Sequence, residues 1–390
     1  MAMSRRVQFG VDVLLSDRAD LLDGKRIGLV TNQTGVTSSL EWTVDALHKN
    51  PKVRLECLFG PEHGIRGDMQ DAARIDSFID PRTGLKVFSL YGDHYKPTAD
   101  MTQDVDALVY DIQDVGARYY TYIATMNRCL EAAAEQDKEL ILLDRPNPIT
   151  GTAIEGNVLE ESHRSFVGAR PIPIRYGMTI GELAQMFNRE FGVGCDLTVV
   201  KAKGWKRSMW YDETGLPWVM PSPNLPTLDA ATVYPGTCLF EGVNVSEGRG
   251  TTRPFEILGA PWIDGFKLRE RLINEDLPGV AFRGLCFVPA FGKFAGETCG
   301  GIQLHVRERL LFRPVLAALK VLGAIIDLFH GELEFRRNPL NDAYGFDRLA
   351  GTATIRQELL AGVEPEKIEK DWQKELKDFR AKRSKYLLYP

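Results

Sequence analysis

Residues 107–135 read ALVYDIQDVGARYYTYIATMNRCLEAAAE, and three textures follow one another within them. Residues 107–112 form a short apolar run of the kind buried on both faces of a parallel sheet. A polar loop around Gln113, Asp114, Gly116 and Arg118 interrupts it, and residues 119–135 then carry a helical pattern. The same strand, loop and helix rhythm runs through the first 200 residues. It places further strands at 26–31, 54–59, 86–90, 139–144 and 196–201, and helices at 40–49 and 179–191. The last helix opens on Thr179 with Glu182 three residues on, a capping box. These alternations predict an α/β protein with a Rossmann-like parallel sheet in its N-terminal part.

Beyond residue 200 the texture changes. Residues 205–235 are rich in Pro, Trp, Ser and Asn, and Pro217, Pro221, Pro223 and Pro226 fix an extended path that reads as a crossover. After it come a polar, Gly-rich stretch, strand candidates at 281–289 and 301–306, and helices near 314–329 and 365–382. A chain of 390 residues exceeds what one growing core accommodates. The expected division is a Rossmann-like catalytic domain at 1–230 and a smaller α+β domain at 231–390 that completes the cleft.

Composition narrows the function classes. The 48 basic and 53 acidic residues nearly balance, so neither a nucleic-acid partner nor a membrane surface is implied. No apolar run approaches the roughly 20 residues of a membrane-spanning helix. The amino terminus, MAMSRRVQFGVDVLL, has two arginines, an apolar stretch broken by Asp12 and no small-residue cleavage site. A cytoplasmic location is therefore expected, with a secreted or periplasmic one open if a leader has been removed. Cys57, Cys129, Cys195, Cys238, Cys286 and Cys299 stand singly, without zinc-type spacing, and read as buried reduced thiols. No glycine-rich nucleotide fingerprint follows any predicted strand, which lowers the dehydrogenase and NTPase readings. Nothing in the sequence sets an oligomeric state.

In open α/β sheets, ligands bind outside the carboxyl ends of the strands, which directs attention to the loops after Thr31, Phe59, Leu90, Ile112 and Asp144. The densest is Gly60-Pro61-Glu62-His63-Gly64-Ile65-Arg66-Gly67-Asp68, where glycines and a proline hold a carboxylate, an imidazole and a guanidinium together. A general acid needs a raised pKa, which burial beside Phe59 and Ile65 would give Glu62. The alternative is a solvated turn with a surface ion pair. In the 110–122 cluster, Asp111, Gln113 and Arg118 break an apolar pattern beside Tyr119 and Tyr120. Sugar sites pair carboxylates and amides with aromatic faces; a capping Asp and core tyrosines would look the same. Asn147, between two prolines, is placed to bind an acetamido group or hydroxyl, or serves the turn alone.

The fourth cluster, residues 241–254, packs Glu241, Asn244, Glu247, Arg249 and Arg253 among three glycines. A polar hairpin satisfied by its own backbone is the competing reading. Folded against the strand ends, this loop would give a cleft with carboxylates on both walls, as glycoside cleavage requires. His63, Asp93, His94 and Asp111 offer a metal-dependent hydrolase as an alternative, although no metal-type spacing supports it. A non-catalytic sugar-binding protein is a third.

At these clusters the sequence resembles the exo-β-N-acetylmuramidase (NamZ-like) glycoside hydrolases, long known as a domain of unknown function. The resemblance is carried by GLVTNQTG (28–35), FGPEHGIRG (59–67), YDIQDVGARYYTYI (110–123), LDRPNPI (143–149), PSPNLPT (221–227), YPGTCLFEGVNVSEGRGTTRPFE (234–256) and WQKELKDFRAKRSKYLLY (372–389). It implies a Rossmann-like domain joined to a smaller one, with the active site between them. It further implies release of N-acetylmuramic acid from the non-reducing end of peptidoglycan fragments, in cell-wall turnover or recycling, without a cofactor. By motif match, Glu62 is the leading catalytic carboxylate with His63 beside it; the first hypothesis takes Glu62 as general acid with Asp114, Glu241 or Glu247 as its second polar partner. Asn32 and Asn224, inside two of the motifs, join the substrate-binding candidates. Muramic acid carries a lactyl carboxylate, for which Arg66, Arg118, Arg249 and Arg253 are the candidate ligands.

Overall fold

The computed structural model describes residues 7–62, 64–67, 77–339 and 342–390. Its first part holds β1 (Arg26–Thr31), β2 (Arg54–Gly60), β3 (Phe78–Ile79), β4 (Lys86–Ser89), β5 (Ala107–Asp111) and β6 (Glu139–Leu143). A two-stranded ribbon of β7 (Glu155–Val158) and β8 (Pro173–Arg175) follows, and then β9 (Asp196–Val200). Seven strands form one sheet in the order β3-β4-β2-β1-β5-β6-β9, parallel except for the short β3. The order reverses beside β1, the topology of a doubly wound sheet.

Both faces are buried, which explains the unbroken apolar runs. Along β5, Leu108 and Tyr110 face one core, and Ala107 and Val109 the other. The first core also holds α4 (Thr121–Glu135) and α5 (Ile180–Glu190). The second holds α1 (Gly10–Asp17) and α2 (Thr43–Lys49). Short α3 (Ala99–Thr102) precedes β5. The capping box at Thr179 forms as expected, its hydroxyl accepting from Glu182 N.

Helix α6 (Leu228–Thr237) begins inside the stretch expected to be irregular up to Pro235, and the expected boundary at residue 230 falls within it. Pro235 sits in its last turn, where its missing N–H ends the helix instead of breaking it. The second part holds β10 (Ile257–Ala260), α7 (Gly265–Ile273), β11 (Val280–Phe287) and β12 (Cys299–Val306). It continues with α8 (Pro314–Leu328), α9 (Gly345–Ala350), α10 (Thr354–Leu360), α11 (Pro365–Asp371) and α12 (Gln373–Arg383). The three strands form an antiparallel sheet, β10-β12-β11. The helix expected at 365–382 is two, separated at the buried Trp372. The core around α4 and α5 runs without a break into α6, α8 and this sheet.

All six cysteines are unpaired. Five are buried, but Cys286 is exposed on the edge strand β11. Among the described residues no helix is long and apolar enough to cross a membrane.

Candidate active site

A cavity of about 480 Å³ opens where the loops after β2, β4 and β5 meet the second part of the chain. Glu62 enters from the turn after β2, Tyr91 and Tyr95 from the loop after β4, and Tyr119, Tyr120 and Thr121 from the loop into α4. The opposite wall is built from Cys238 and Glu241 in the turn after α6, then Arg249, Phe255 and, on α9, Arg348. Ser222 and Leu225 belong to the proline-rich crossover. Its path is pinned by Pro221, whose carbonyl accepts from the Tyr122 hydroxyl (2.6 Å) and from Gln33 Nε2 (2.8 Å).

Glu62 is half-buried and accepts a hydrogen bond from the Thr121 hydroxyl at 2.7 Å. Thr121 is the first residue of α4, so the helix start fixes the donor in place. The Tyr91 hydroxyl bonds to the same carboxylate; burial first, and then the charge of Glu62, push the Tyr91 pKa up. Tyr91, Tyr95 and Phe166 pack as an aromatic group, with Tyr91–Tyr95 and Tyr95–Phe166 centroids 5.7 and 4.7 Å apart. Such a group suits the C–H face of a pyranose.

Facing it, Glu241 accepts from Arg249 Nη2 at 2.6 Å. Arg249 Nε lies 3.3 Å from Glu247, and Glu247 accepts from Lys293 at 2.9 Å. Lys293 is held by the carbonyls of Phe240 and Val245 at 2.7 and 2.9 Å. Two carboxylates and two cations thus form one compact group. Burial, followed by the charge of Glu247, pushes the Glu241 pKa up to about 8, with Lys293 pulling the other way. The Arg249 contact also favours the anion, as does a hydrogen bond with the Cys238 thiol. Glu241 keeps 31% of its side-chain surface exposed, so its carboxyl is reached from the cavity.

Of the residues expected from sequence, Glu62, Tyr119, Tyr120, Glu241 and Arg249 come together on this cavity. Glu247 stands behind Arg249, and Asn224 lies beside the lining residues Ser222 and Leu225. His63 and Asp68 lie outside the described residues. The other candidates are used for building. Asp111 and Arg145 form a fully buried two-pronged pair at 2.7 and 2.9 Å, and Thr43 donates to Asp111 at 2.5 Å. Asn32 accepts from Thr34 N and its hydroxyl, and Gln113 donates to the carbonyls of Asp114 and Pro146. Asn147 joins Met178 O to Ile149 N. The reversal point of the sheet is therefore filled by polar side chains, and the cavity lies to one side of it, toward β2 and β4.

Arg118 is buried and donates to four carbonyls: Asn157 and Ile172 (both 2.8 Å), Leu349 (3.1 Å) and Ala350 (2.6 Å). Arg66 pairs with Asp80 at 2.8 Å over the Trp42 ring, and Arg253 pairs with Glu256 at 3.4 Å. Asn244 clasps the backbone at Glu332 and Glu334. Asp114 is buried against Gly116 N and the Tyr176 hydroxyl, and burial pushes its pKa up to about 7. None of these five lines the cavity. The metal-site alternative loses Asp111 to Arg145. Among the described residues, no three His, Cys, Asp or Glu side chains are grouped to hold a metal ion.

Sequence reasoning missed Tyr91, Tyr95, Phe166 and Arg348. The first two follow Leu90, in a loop the strand-end rule had singled out. Phe166 and Arg348 sit in stretches with no local signal.

Comparison with known proteins bears on the same chain. The N-terminal model of the family described as exo-β-N-acetylmuramidase NamZ matches residues 27–229, and its C-terminal model matches residues 232–389. The chain is 50% identical over 388 residues to the peptidoglycan β-N-acetylmuramidase NamZ of Bacillus subtilis (strain 168), covering all of this chain and 92% of that one. Crystal structures of two DUF1343 family proteins from Bacteroides fragilis superpose on it. One has a TM-score of 0.91 and 41% identity, covering 99% of this chain and 100% of that one. The other has a TM-score of 0.80 and 32% identity, covering 98% and 99%. With both domain models matched in order and half its residues shared with a curated member, the chain belongs to the exo-β-N-acetylmuramidase family.

Proposed function

We propose that this protein is an exo-acting β-N-acetylmuramidase, a glycoside hydrolase that removes N-acetylmuramic acid from the non-reducing end of peptidoglycan fragments. The 50% identity to a curated peptidoglycan β-N-acetylmuramidase supports the activity, and the division into residues 1–230 and 231–390 is part of the proposal. The observation that carries the site is that Glu62 and Glu241, from the two parts of the chain, line one cavity with an aromatic group at its edge.

Hydrolysis of a glycoside needs a proton for the departing oxygen and a base for the incoming water. Glu241, with its pKa pushed up to about 8, holds a proton at neutral pH and is assigned the donor role. This moves the proton from Glu62, where the sequence reading had put it, to the opposite wall. Glu62, oriented by the Thr121 and Tyr91 hydroxyls, takes the proton of the water that attacks the anomeric carbon. The C–O bond breaks as Glu241 protonates the leaving sugar. Glu247 and Lys293 do not line the cavity; they set the charge around Glu241 and Arg249.

The test is hydrolysis of a muramyl-β-1,4-glucosamine disaccharide, with free N-acetylmuramic acid as the expected product. Tight binding of the disaccharide without turnover would instead make the protein a sugar receptor.

A further inference from the structure

Four arginines were candidates for the lactyl carboxylate, and the structure commits three of them elsewhere. Arg66 and Arg253 serve carboxylates away from the cavity, and Arg118 is buried under four carbonyls. Arg249 reaches the cavity, but its guanidinium is engaged by the carboxyls of Glu241 at 2.6 Å and Glu247 at 3.3 Å. Arg348 differs from all of these. It is exposed, it lines the cavity, and among the described residues no carboxylate pairs with it.

We infer that Arg348 is the residue that reads the lactyl carboxylate of the terminal muramic acid, and so separates muramyl from glucosaminyl ends. The inference rests on the muramidase reading above. Its chemistry is simple: the two sugars differ by a lactyl ether that is anionic at neutral pH, and a guanidinium binds a carboxylate through two parallel charge-assisted hydrogen bonds. An uncompensated guanidinium at the wall of a sugar-sized cavity is the matching group.

The backbone that carries Arg348 is fixed from three sides. Asp347 takes a two-pronged bond from Arg356, both contacts at 2.8 Å. Arg118, from the loop after β5, holds the carbonyls of Leu349 and Ala350. At position 242, next to Glu241, any side chain would meet the Phe346 backbone at 2.5 Å, so glycine is required for the turn to lie against α9. Gly351 closes α9 in the left-handed region at φ 72°, its N–H bonded to Asp347 O at 2.7 Å. The charge of Arg348 is felt at the Tyr91 hydroxyl, which is bonded to Glu62, so the arginine overlooks the same part of the cavity as that carboxylate. Arg118, read from sequence as an anion ligand, thus acts as a positioning residue for the arginine that is.

The test compares the wild type with Arg348→Gln and Arg348→Lys on two substrates, 4-nitrophenyl β-N-acetylmuramide and its lactyl methyl ester. Loss of a charge-assisted pair should lower kcat/KM of R348Q on the free acid about 10- to 100-fold relative to wild type. On the ester, R348Q and wild type should agree within about twofold, and R348K should recover part of the loss on the acid. N-acetylmuramic acid should likewise inhibit R348Q more weakly, while inhibition by N-acetylglucosamine stays the same. Equal losses on acid and ester, or no loss on either, would overturn the inference. A wild type that releases no muramic acid at all would overturn the functional reading instead.

Discussion

The Thr121 hydroxyl donates to Glu62 over 2.7 Å, joining the first residue of α4 to the turn after β2. A carboxylate that must meet an incoming water in one orientation benefits from such a contact, because misplacement costs rate before it costs binding. Thr121→Val should therefore lower kcat about tenfold with little change in KM or melting temperature, and Thr121→Ser should restore it. Equal activity of the valine variant would remove Thr121 from the account.

The division of labour between the carboxyls makes a sharper claim. A nitrophenolate leaves without a proton; a sugar alkoxide does not. Glu241→Gln should lose about 10²- to 10⁴-fold on the disaccharide while keeping much of its activity on the nitrophenyl muramide. Glu62→Gln should lose both. The reverse pattern would return the donor role to Glu62.

The pH profile carries the sign of the Glu241 shift. Its proton is present below about 8 and lost above it, so disaccharide hydrolysis should fall as pH rises through about 8. Glu247 contributes to that elevation by like charge, and its removal also frees Lys293 and Arg249 to act on Glu241. Glu247→Gln should shift the alkaline limb to lower pH. An unmoved limb would mean that another group sets it.

Arg118 distinguishes positioning from binding. Replacing it by Met leaves four buried carbonyls without their donor, a loss on the order of 3 kcal/mol that a melting curve would register. Were Arg118 a substrate ligand, KM would rise and the melting temperature would hold.

The sheet was legible because burial on both faces writes itself into sequence as apolar runs, and β5 and β6 alternate their side chains between the two cores as such runs require. The starts of helices were less so. The helix read from residue 119 begins at Thr121, because Tyr119 and Tyr120 stay outside it to face the cavity. The one read from residue 40 begins at Thr43, since Leu40 holds φ 68° in a turn bridged from Val36 to Trp42.

For the site, the loops were easier to find than the residues. Asp111, Gln113, Asn32 and Asn147 have the chemistry of sugar ligands, yet tightly turned backbone at strand ends also needs polar groups, which engages Gln113, Asn32 and Asn147, while Asp111 is taken by the buried Arg145. The same ambiguity hid Arg348. Nothing near it in sequence marks it, and its role emerges only where α9 is pressed between Arg118 and the Glu241 turn.

Glu62 and Glu241 are proposed to flank one sugar linkage, and a crystal structure of Glu62→Gln with bound muramyl-glucosamine disaccharide would show whether they do. The glycosidic oxygen should lie within hydrogen-bond reach of the Glu241 carboxyl, with the anomeric carbon facing position 62. A disaccharide bound outside this cavity, or one whose linkage lies out of reach of both side chains, would contradict it.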